Sequence, residues 1–226
     1  MNISRRKLLS NSAASCIITL GAPSIFGASA ALAGDGDGGQ FDEKKLYAPD
    51  GPADHFIGNL DADAKVTVVE YASSTCPHCA NFHINTFPKL KETYIDTNKI
   101  RFVLRPFVLN VLDAVVFMLA YKAGETSVEG YYEILNAYMK TQSQWANSDA
   151  PRDAILEIAK QYGFTEKSFD KVLTNQELFK GMERLREQAS KEFDMHGTPS
   201  FYVNGKMLAG NRSFEDLAGA IDPLLS

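Results

Sequence analysis

Two cysteines three positions apart carry the clearest chemical signal in this sequence, within the motif Cys76-Pro77-His78-Cys79. They follow a short β-branched stretch that predicts a buried strand, and they open a segment that predicts a helix. The first turn of a helix has unpaired N–H groups and the positive end of the helix dipole, so it stabilises a thiolate at Cys76. Pro77 fits this turn because its missing N–H costs nothing there. His78 adds to the stabilisation when it is cationic or donates an N–H.

This pattern predicts a redox-active pair in which Cys76 is the exposed nucleophile with a low pKa and Cys79 is the buried resolving thiol. Two alternatives stay open at this point. A structural disulfide would close a very small loop, and a zinc site with His83 would have no second Cys-X-X-Cys to complete it. Covalent haem attachment is excluded, because Ala80 stands where the haem motif requires a histidine.

Two other segments are candidates for the same site. Glu70 lies on the predicted strand, and a buried carboxylate is costly, so we expect it beneath the cysteines, where it relays protons to or from Cys79. The alternative is a strand-end residue that reaches water or Arg105. Gly197-Thr198-Pro199 enters a predicted strand, which makes the X-Pro bond a candidate cis peptide that leaves backbone groups free for an extended substrate. An ordinary trans proline at a strand start is the alternative.

The other histidines carry weaker predictions. His83 is expected to be a solvated helix residue. His196 is a candidate shield for the thiolate, because it precedes the predicted turn before Pro199 and histidine can carry a charge at neutral pH. His55 receives no role.

The composition is that of an ordinary globular protein, with 226 residues, 45% of them apolar, and a net charge of −5. This length suits one large domain or one domain with an insertion. The three cysteines are too few for a framework of structural disulfides. The sequence has no basic stripe with interleaved aromatic residues, so we expect no nucleic acid as a partner, and we expect no metal ion at the site.

Residues 1–33 have the composition of an export signal. They contain no acidic residue, begin with Arg5-Arg6-Lys7, and continue through a weakly apolar stretch to small residues. The paired arginines are typical of twin-arginine signals, and a general secretory signal is the alternative. We expect cleavage near Ala30 or Ala33, which removes Cys16 with the signal. The mature protein is then expected in the periplasm, where disulfides persist.

The rest of the chain predicts strands that alternate with helices, and therefore an α/β fold. A flexible arm is expected over 34–56, followed by a strand, a helix and a second strand over 57–110. A block of four helices is expected over 111–189, where apolar residues recur at helical spacing. A β-hairpin with the turn Asn204-Gly205 and a last helix are expected over 190–226.

Taken together, these motifs resemble the DsbA-like thiol-disulfide oxidoreductases of the thioredoxin superfamily, from about residue 57 to residue 222. The resemblance rests on four segments in the order of that family: Val66-Thr67-Val68-Val69-Glu70, Cys76-Pro77-His78-Cys79 with Phe82-His83, Arg101-Phe102-Val103-Leu104-Arg105, and Gly197-Thr198-Pro199 with the hairpin after it. It implies a thioredoxin fold with an inserted helical domain. It also implies a cis Thr198–Pro199 bond that faces the cysteines, with Gly197, Thr198 and Pro199 as substrate-binding residues.

The resemblance further implies an activity that needs no cofactor beyond the Cys76–Cys79 disulfide. We expect this disulfide to be donated, through a mixed disulfide, to folding exported proteins that have free thiols. A quinone-linked membrane oxidase would then restore it. The alternatives are a disulfide reductase or isomerase of the same superfamily and a non-catalytic surface or binding protein with a vestigial Cys-X-X-Cys.

Overall fold

A computed structural model describes residues 38–61 and 63–226 of the protein, and the predicted export signal over 1–33, with Cys16, lies outside these described residues. The strands are β1 Ile57–Gly58, β2 Thr67–Ala72, β3 Arg101–Pro106, β4 Ser200–Val203 and β5 Lys206–Ala209. The helices are α1 Glu43–Leu46, α2 Pro77–Asn85, α3 Phe87–Leu90, α4 Val111–Gly124, α5 Val128–Lys140, α6 Gln142–Trp145, α7 Pro151–Lys160, α8 Glu166–Leu173, α9 Gln176–Glu192 and α10 Phe214–Leu225. A π-helical turn, Lys91–Ile95, continues α3. Within the described ranges, no helix is both long and apolar enough to cross a membrane.

The five strands form one mixed sheet in the order β1-β3-β2-β4-β5. The central pair, β2 and β3, is parallel, and every residue of β2 is buried, as expected for a strand covered on both faces. Strand β4 runs antiparallel to β2, with Tyr71 opposite Ser200. The end of β2 and the start of β4 therefore lie side by side at one edge of the sheet. The Cys-X-X-Cys segment follows β2, and Gly197-Thr198-Pro199 precedes β4, so the register alone brings the two predicted site segments together.

Six helices, α4 to α9, lie between β3 and β4. Helix α4 is apolar on nearly all sides because it is the centre of this block, with Val116, Phe117 and Leu119 fully buried. The sequence predicts four helices here, and the structure adds α6 and α8. Helix α8 is short, and half of its residues are charged. It buries only Phe169 and Val172, which leaves a weak apolar signal despite its capping box.

The predicted flexible arm over 34–56 differs from the structure in its described part. Leu46 of α1 is fully buried, and Gln40 forms a bridge with Lys206 beside β5. The Arg105 side chain is also fully buried, and its guanidinium binds the Asp54 carboxylate with N–O distances of 2.6 and 2.8 Å. A buried arginine needs such a partner, so the segment that carries Asp54 is fixed against the sheet.

Candidate active site

Cys76 is the N-cap of α2, and the motif occupies the first turn of this helix. Its backbone is extended, with φ −79° and ψ 122°, and Pro77 follows at the first helical position. Cys76 is half-buried, Cys79 is buried, and both are free thiols, so the structure describes the dithiol form. Pro77 and His78 are exposed. The N–H groups of the first turn therefore surround a sulfur that solvent can still reach.

The surroundings of Cys76 lower its pKa to about 5. The largest cause is a hydrogen bond from the Cys79 thiol, and partial burial opposes it. Further hydrogen bonds come from the Thr198 side chain and from the backbone N–H groups of Cys79 and His78. Each of these groups donates to the thiolate more strongly than to the thiol, so together they favour the anion.

Cys79 shows the opposite behaviour. Its side chain is fully buried, and its Sγ accepts the N–H of Ser73 at 3.5 Å. Burial raises the pKa of Cys79 well above the ordinary value for a thiol, and the nearby Cys76 and Glu70 raise it further. Cys76 is therefore the half-exposed sulfur that ionises readily, and Cys79 is the buried thiol that donates to it.

The segment Gly197-Thr198-Pro199 lies against Cys76. The Cys76 Sγ is 3.3 Å from the Thr198 carbonyl oxygen, and the Thr198–Pro199 peptide bond is cis, as the family resemblance implies. Pro199 is buried and Gly197 is exposed beside a surface cavity of about 330 Å³. The His196 side chain is 78% exposed and binds Asp194 at 2.9 Å, so the shielding of Cys76 predicted for this ring has no contact to support it in the described structure.

Glu70 is fully buried on β2, and its partner is a residue for which the sequence predicts another role. The His83 Nε2 lies 3.0 and 3.1 Å from the two carboxylate oxygens of Glu70, and only 2% of His83 is exposed. The prediction of a solvated His83 is therefore wrong. The helix explains the error, because Cys79 and His83 are four residues apart and share the face of α2 that covers the sheet. The alternative partner for Glu70, Arg105, binds Asp54 instead.

Known proteins share these features over most of the chain. A family model described as thioredoxin matches residues 50–223. A Rickettsia conorii protein with the provisional name protein-disulfide oxidoreductase is 35% identical over 76% of this chain and 60% of its own length. A Bacillus anthracis protein with the provisional name disulfide bond formation protein D is 31% identical over 71% of this chain and 74% of its own. This chain belongs to the DsbA-like thioredoxin family.

Solved structures agree with this assignment. The structure of α-DsbA1 from Wolbachia pipientis is 25% identical to this DsbA-like chain and covers 80% of it, with a TM-score of 0.72, over 95% of its own length. BdbD from Bacillus subtilis, at 19% identity and a TM-score of 0.67, has the same fold. The predicted thioredoxin fold with a helical insertion is confirmed. The chain spans about 60% of the length of the Rickettsia conorii relative.

Asp113 binds the loop between β2 and α2 of this DsbA-like protein, a role that is not predicted from the sequence. Its buried carboxylate accepts hydrogen bonds from the hydroxyls of Ser73 and Ser74 and from the N–H groups of Thr75 and Leu109, all at 2.7 to 2.9 Å. A carboxylate at this depth needs such a set of donors. The one signal in the sequence is an aspartate in the first turn of a mostly apolar helix.

A second contact from the helical insertion was also missed. The Gln142 side-chain amide donates to the carbonyl oxygens of Ser74 and Cys76, at 2.7 and 3.0 Å. Gln142 lies at the start of α6, which the sequence does not predict. The insertion of this DsbA-like protein therefore binds the loop before α2 from two directions, and it fixes where Cys76 sits.

Proposed function

We propose that this protein is a thiol-disulfide oxidoreductase that donates a Cys76–Cys79 disulfide to exported proteins. The observation that carries the proposal is the asymmetry of the two sulfurs. Cys76 is half-exposed at a helix N-terminus with a pKa of about 5, and Cys79 is fully buried behind it. Such a pair suits an exchange reaction in which substrates reach one sulfur only.

The proposed reaction passes through a mixed disulfide. A substrate thiolate attacks the Cys76 sulfur, the Cys76–Cys79 bond breaks, and Cys79 leaves with the electron pair and takes up one proton. A second substrate thiolate then attacks the substrate sulfur of the mixed disulfide and releases Cys76 as a thiolate. The substrate has lost two electrons, the Cys76–Cys79 pair has gained them, and the low pKa of Cys76 makes it a good leaving group.

The same low pKa favours donation of the disulfide over its formation. Above a pH of about 5 the Cys76 thiolate stabilises the dithiol, and this stabilisation is lost as the pH falls through the pKa. Each pH unit between the pKa of Cys76 and neutral pH stabilises the dithiol by about 1.4 kcal/mol, which raises the reduction potential of the Cys76–Cys79 pair by about 30 mV. Solvent screening at the half-exposed sulfur makes both effects smaller.

The remaining roles follow from position. Thr198 and Pro199, with Gly197 beside them, would hold the substrate backbone next to Cys76. His78 would tune Cys76, whose sulfur receives its backbone N–H, and Glu70 would move the proton of Cys79. We place the reaction in the periplasm, on folding proteins with free thiols, and a quinone-linked membrane oxidase would restore the disulfide. The export-signal pattern of residues 1–33 supports this location.

Single-cysteine variants in a Cys16→Ser background test the proposal. The Cys79→Ser variant is expected to accumulate a mixed disulfide with an unfolded test protein that carries a disulfide. Its Cys76 thiolate attacks that disulfide and releases one test-protein thiolate, and the Cys79 thiol that would resolve the complex is absent. The Cys76→Ser variant is expected to form none, since Cys79 is buried. Non-reducing electrophoresis after acid quench measures both. Equal trapping by the two variants, or a wild-type disulfide form that fails to oxidise the reduced form of the test protein, would contradict the proposal. Faster reduction of a disulfide substrate than oxidation of its dithiol would favour the reductase alternative.

A further inference from the structure

His83 and Glu70 form a buried, hydrogen-bonded pair. The His83 Nε2 faces both carboxylate oxygens of Glu70, and the Nδ1 lies 3.3 Å from the side-chain oxygen of Asn136 on α5. An amide oxygen only accepts, so Nδ1 carries a hydrogen in this arrangement. Nε2 then faces two carboxylate oxygens, so one hydrogen shared between the ring and the carboxylate completes this contact.

Apolar groups separate this pair from solvent on the side of the sheet. The His83 ring packs against Phe87 with ring centroids 4.9 Å apart and against Phe82 at 5.4 Å. A hydrogen bond in such apolar surroundings is stronger than the same hydrogen bond in water. The pair also lies close to Cys79, because His83 is four residues from Cys79 on the same face of α2 and the Glu70 charge raises the pKa of Cys79.

One side of the pair leads to the surface. Asn136 is half-buried and lines a surface cavity of about 570 Å³ between α5, the π-helical turn and β1. The ionisable groups that face this route are Cys79, Tyr132, and, around the cavity, Lys91, Asp96, Glu129 and Glu133. Tyr132 stays protonated, since burial raises its pKa well above the ordinary value. The groups at the cavity exchange protons with water.

We propose that His83 is a positioning residue that holds the exchangeable proton of Glu70 beside Cys79 and returns it from the Asn136 cavity. This inference rests on the proposed function. When a substrate thiolate breaks the Cys76–Cys79 bond, the Cys79 sulfur keeps the electron pair, and the Glu70–His83 pair supplies the proton that makes it a thiol. The pair regains one proton from water at the cavity. In the reverse reaction, the pair takes the proton from Cys79 before that sulfur attacks a mixed disulfide.

The test compares His83→Gln with the wild-type protein in the reaction of the disulfide form with reduced glutathione, measured by stopped flow across the pH range. The glutamine amide still donates a hydrogen bond to Glu70, so we expect the fold to be retained. Unlike imidazole, the amide does not take up or release a proton in this pH range. We expect a rate about tenfold lower at neutral pH and a changed pH profile. This loss is smaller than the usual effect of about a hundredfold or more for removing a proton-transfer group, because Glu70 stays in place. The His55→Gln variant is the matched control, since His55 packs against Tyr131 away from the cysteines, and its rate should be unchanged.

A second variant leaves the buried pair itself intact. Asn136→Leu removes the polar link to the cavity, and we expect a several-fold lower rate with a pH profile changed in the same way. Equal rates and equal pH profiles for the wild type, His83→Gln and Asn136→Leu would overturn the inference and leave the proposed function standing. No reaction of the wild-type disulfide with glutathione would overturn the proposed function, and the inference with it.

Discussion

Cys76 is expected to ionise with a pKa of about 5, compared with 9.0 for an unperturbed thiol, which makes it about ten-thousandfold more acidic. The largest cause is the hydrogen bond from Cys79, with further bonds from Thr198 and the first turn of α2. Titration of the dithiol form by ultraviolet absorbance of the thiolate measures this value. The Cys16→Ser background leaves Cys76 alone to ionise below the range of ordinary thiols, because burial holds the pKa of Cys79 far above it.

Two substitutions at Cys79 separate its hydrogen bond from its other effects. Cys79→Ala removes the donor, and we expect the pKa of Cys76 to rise by about one to two units, the value of a hydrogen bond to a charged group. Cys79→Ser keeps an O–H donor and should leave the pKa close to that of the wild type. A wild-type pKa near that of an ordinary thiol, or equal values for the two variants, would contradict this explanation.

Asp113→Asn is expected to lower the free energy of unfolding by about 2 to 4 kcal/mol. The Asp113 carboxylate accepts four hydrogen bonds at the loop before Cys76. In Asp113→Asn, an NH2 group that donates hydrogen bonds replaces one of the two accepting oxygens. At least one buried donor of the loop then loses its partner, which costs its full desolvation. Urea unfolding of the dithiol form measures the change.

The exposed Asp149 offers a matched control for Asp113. Asp149→Asn removes the same charge from a surface residue, and we expect a change within about 0.5 kcal/mol. The loop also holds Ser73, whose N–H contacts Cys79, so Asp113→Asn should slow thiol-disulfide exchange as well. Equal stability of the two variants would show that the hydrogen bonds of Asp113 do not fix the loop.

Local patterns in the sequence are enough to predict where the cysteines lie in the fold, between a buried strand and the start of a helix. The spacing of Cys76 and Cys79, the β-branched strand before them and Pro77 at the helix start are all read from neighbouring residues. The same holds for the hairpin after Pro199, where Asn204-Gly205 forms the turn with both residues at positive φ. The family resemblance adds that these distant segments lie together, with the Thr198–Pro199 bond facing the cysteines.

The partners that hold the site are long-range contacts, and the sequence does not specify them. His83 belongs to the site because α2 turns one face towards β2, which places it on Glu70. Asp113 and Gln142 reach the loop from α4 and α6 because the helical insertion packs beside it. Each of these residue types is common on exposed helix surfaces, so its type alone predicts a solvated residue. Only the packing of the insertion distinguishes them.

Equilibration with glutathione across the pH range tests the central claim most directly, namely that the Cys76 thiolate makes the dithiol the favoured form. Reduction of an ordinary disulfide takes up two protons, and its potential falls by about 59 mV per pH unit. Here only Cys79 takes up a proton above a pH of about 5, so the potential should fall by about 30 mV per unit there and more steeply below. We also expect a potential well above about −270 mV, the value of thioredoxin. A slope of about 59 mV at every pH, with a potential near that of thioredoxin, would contradict the account.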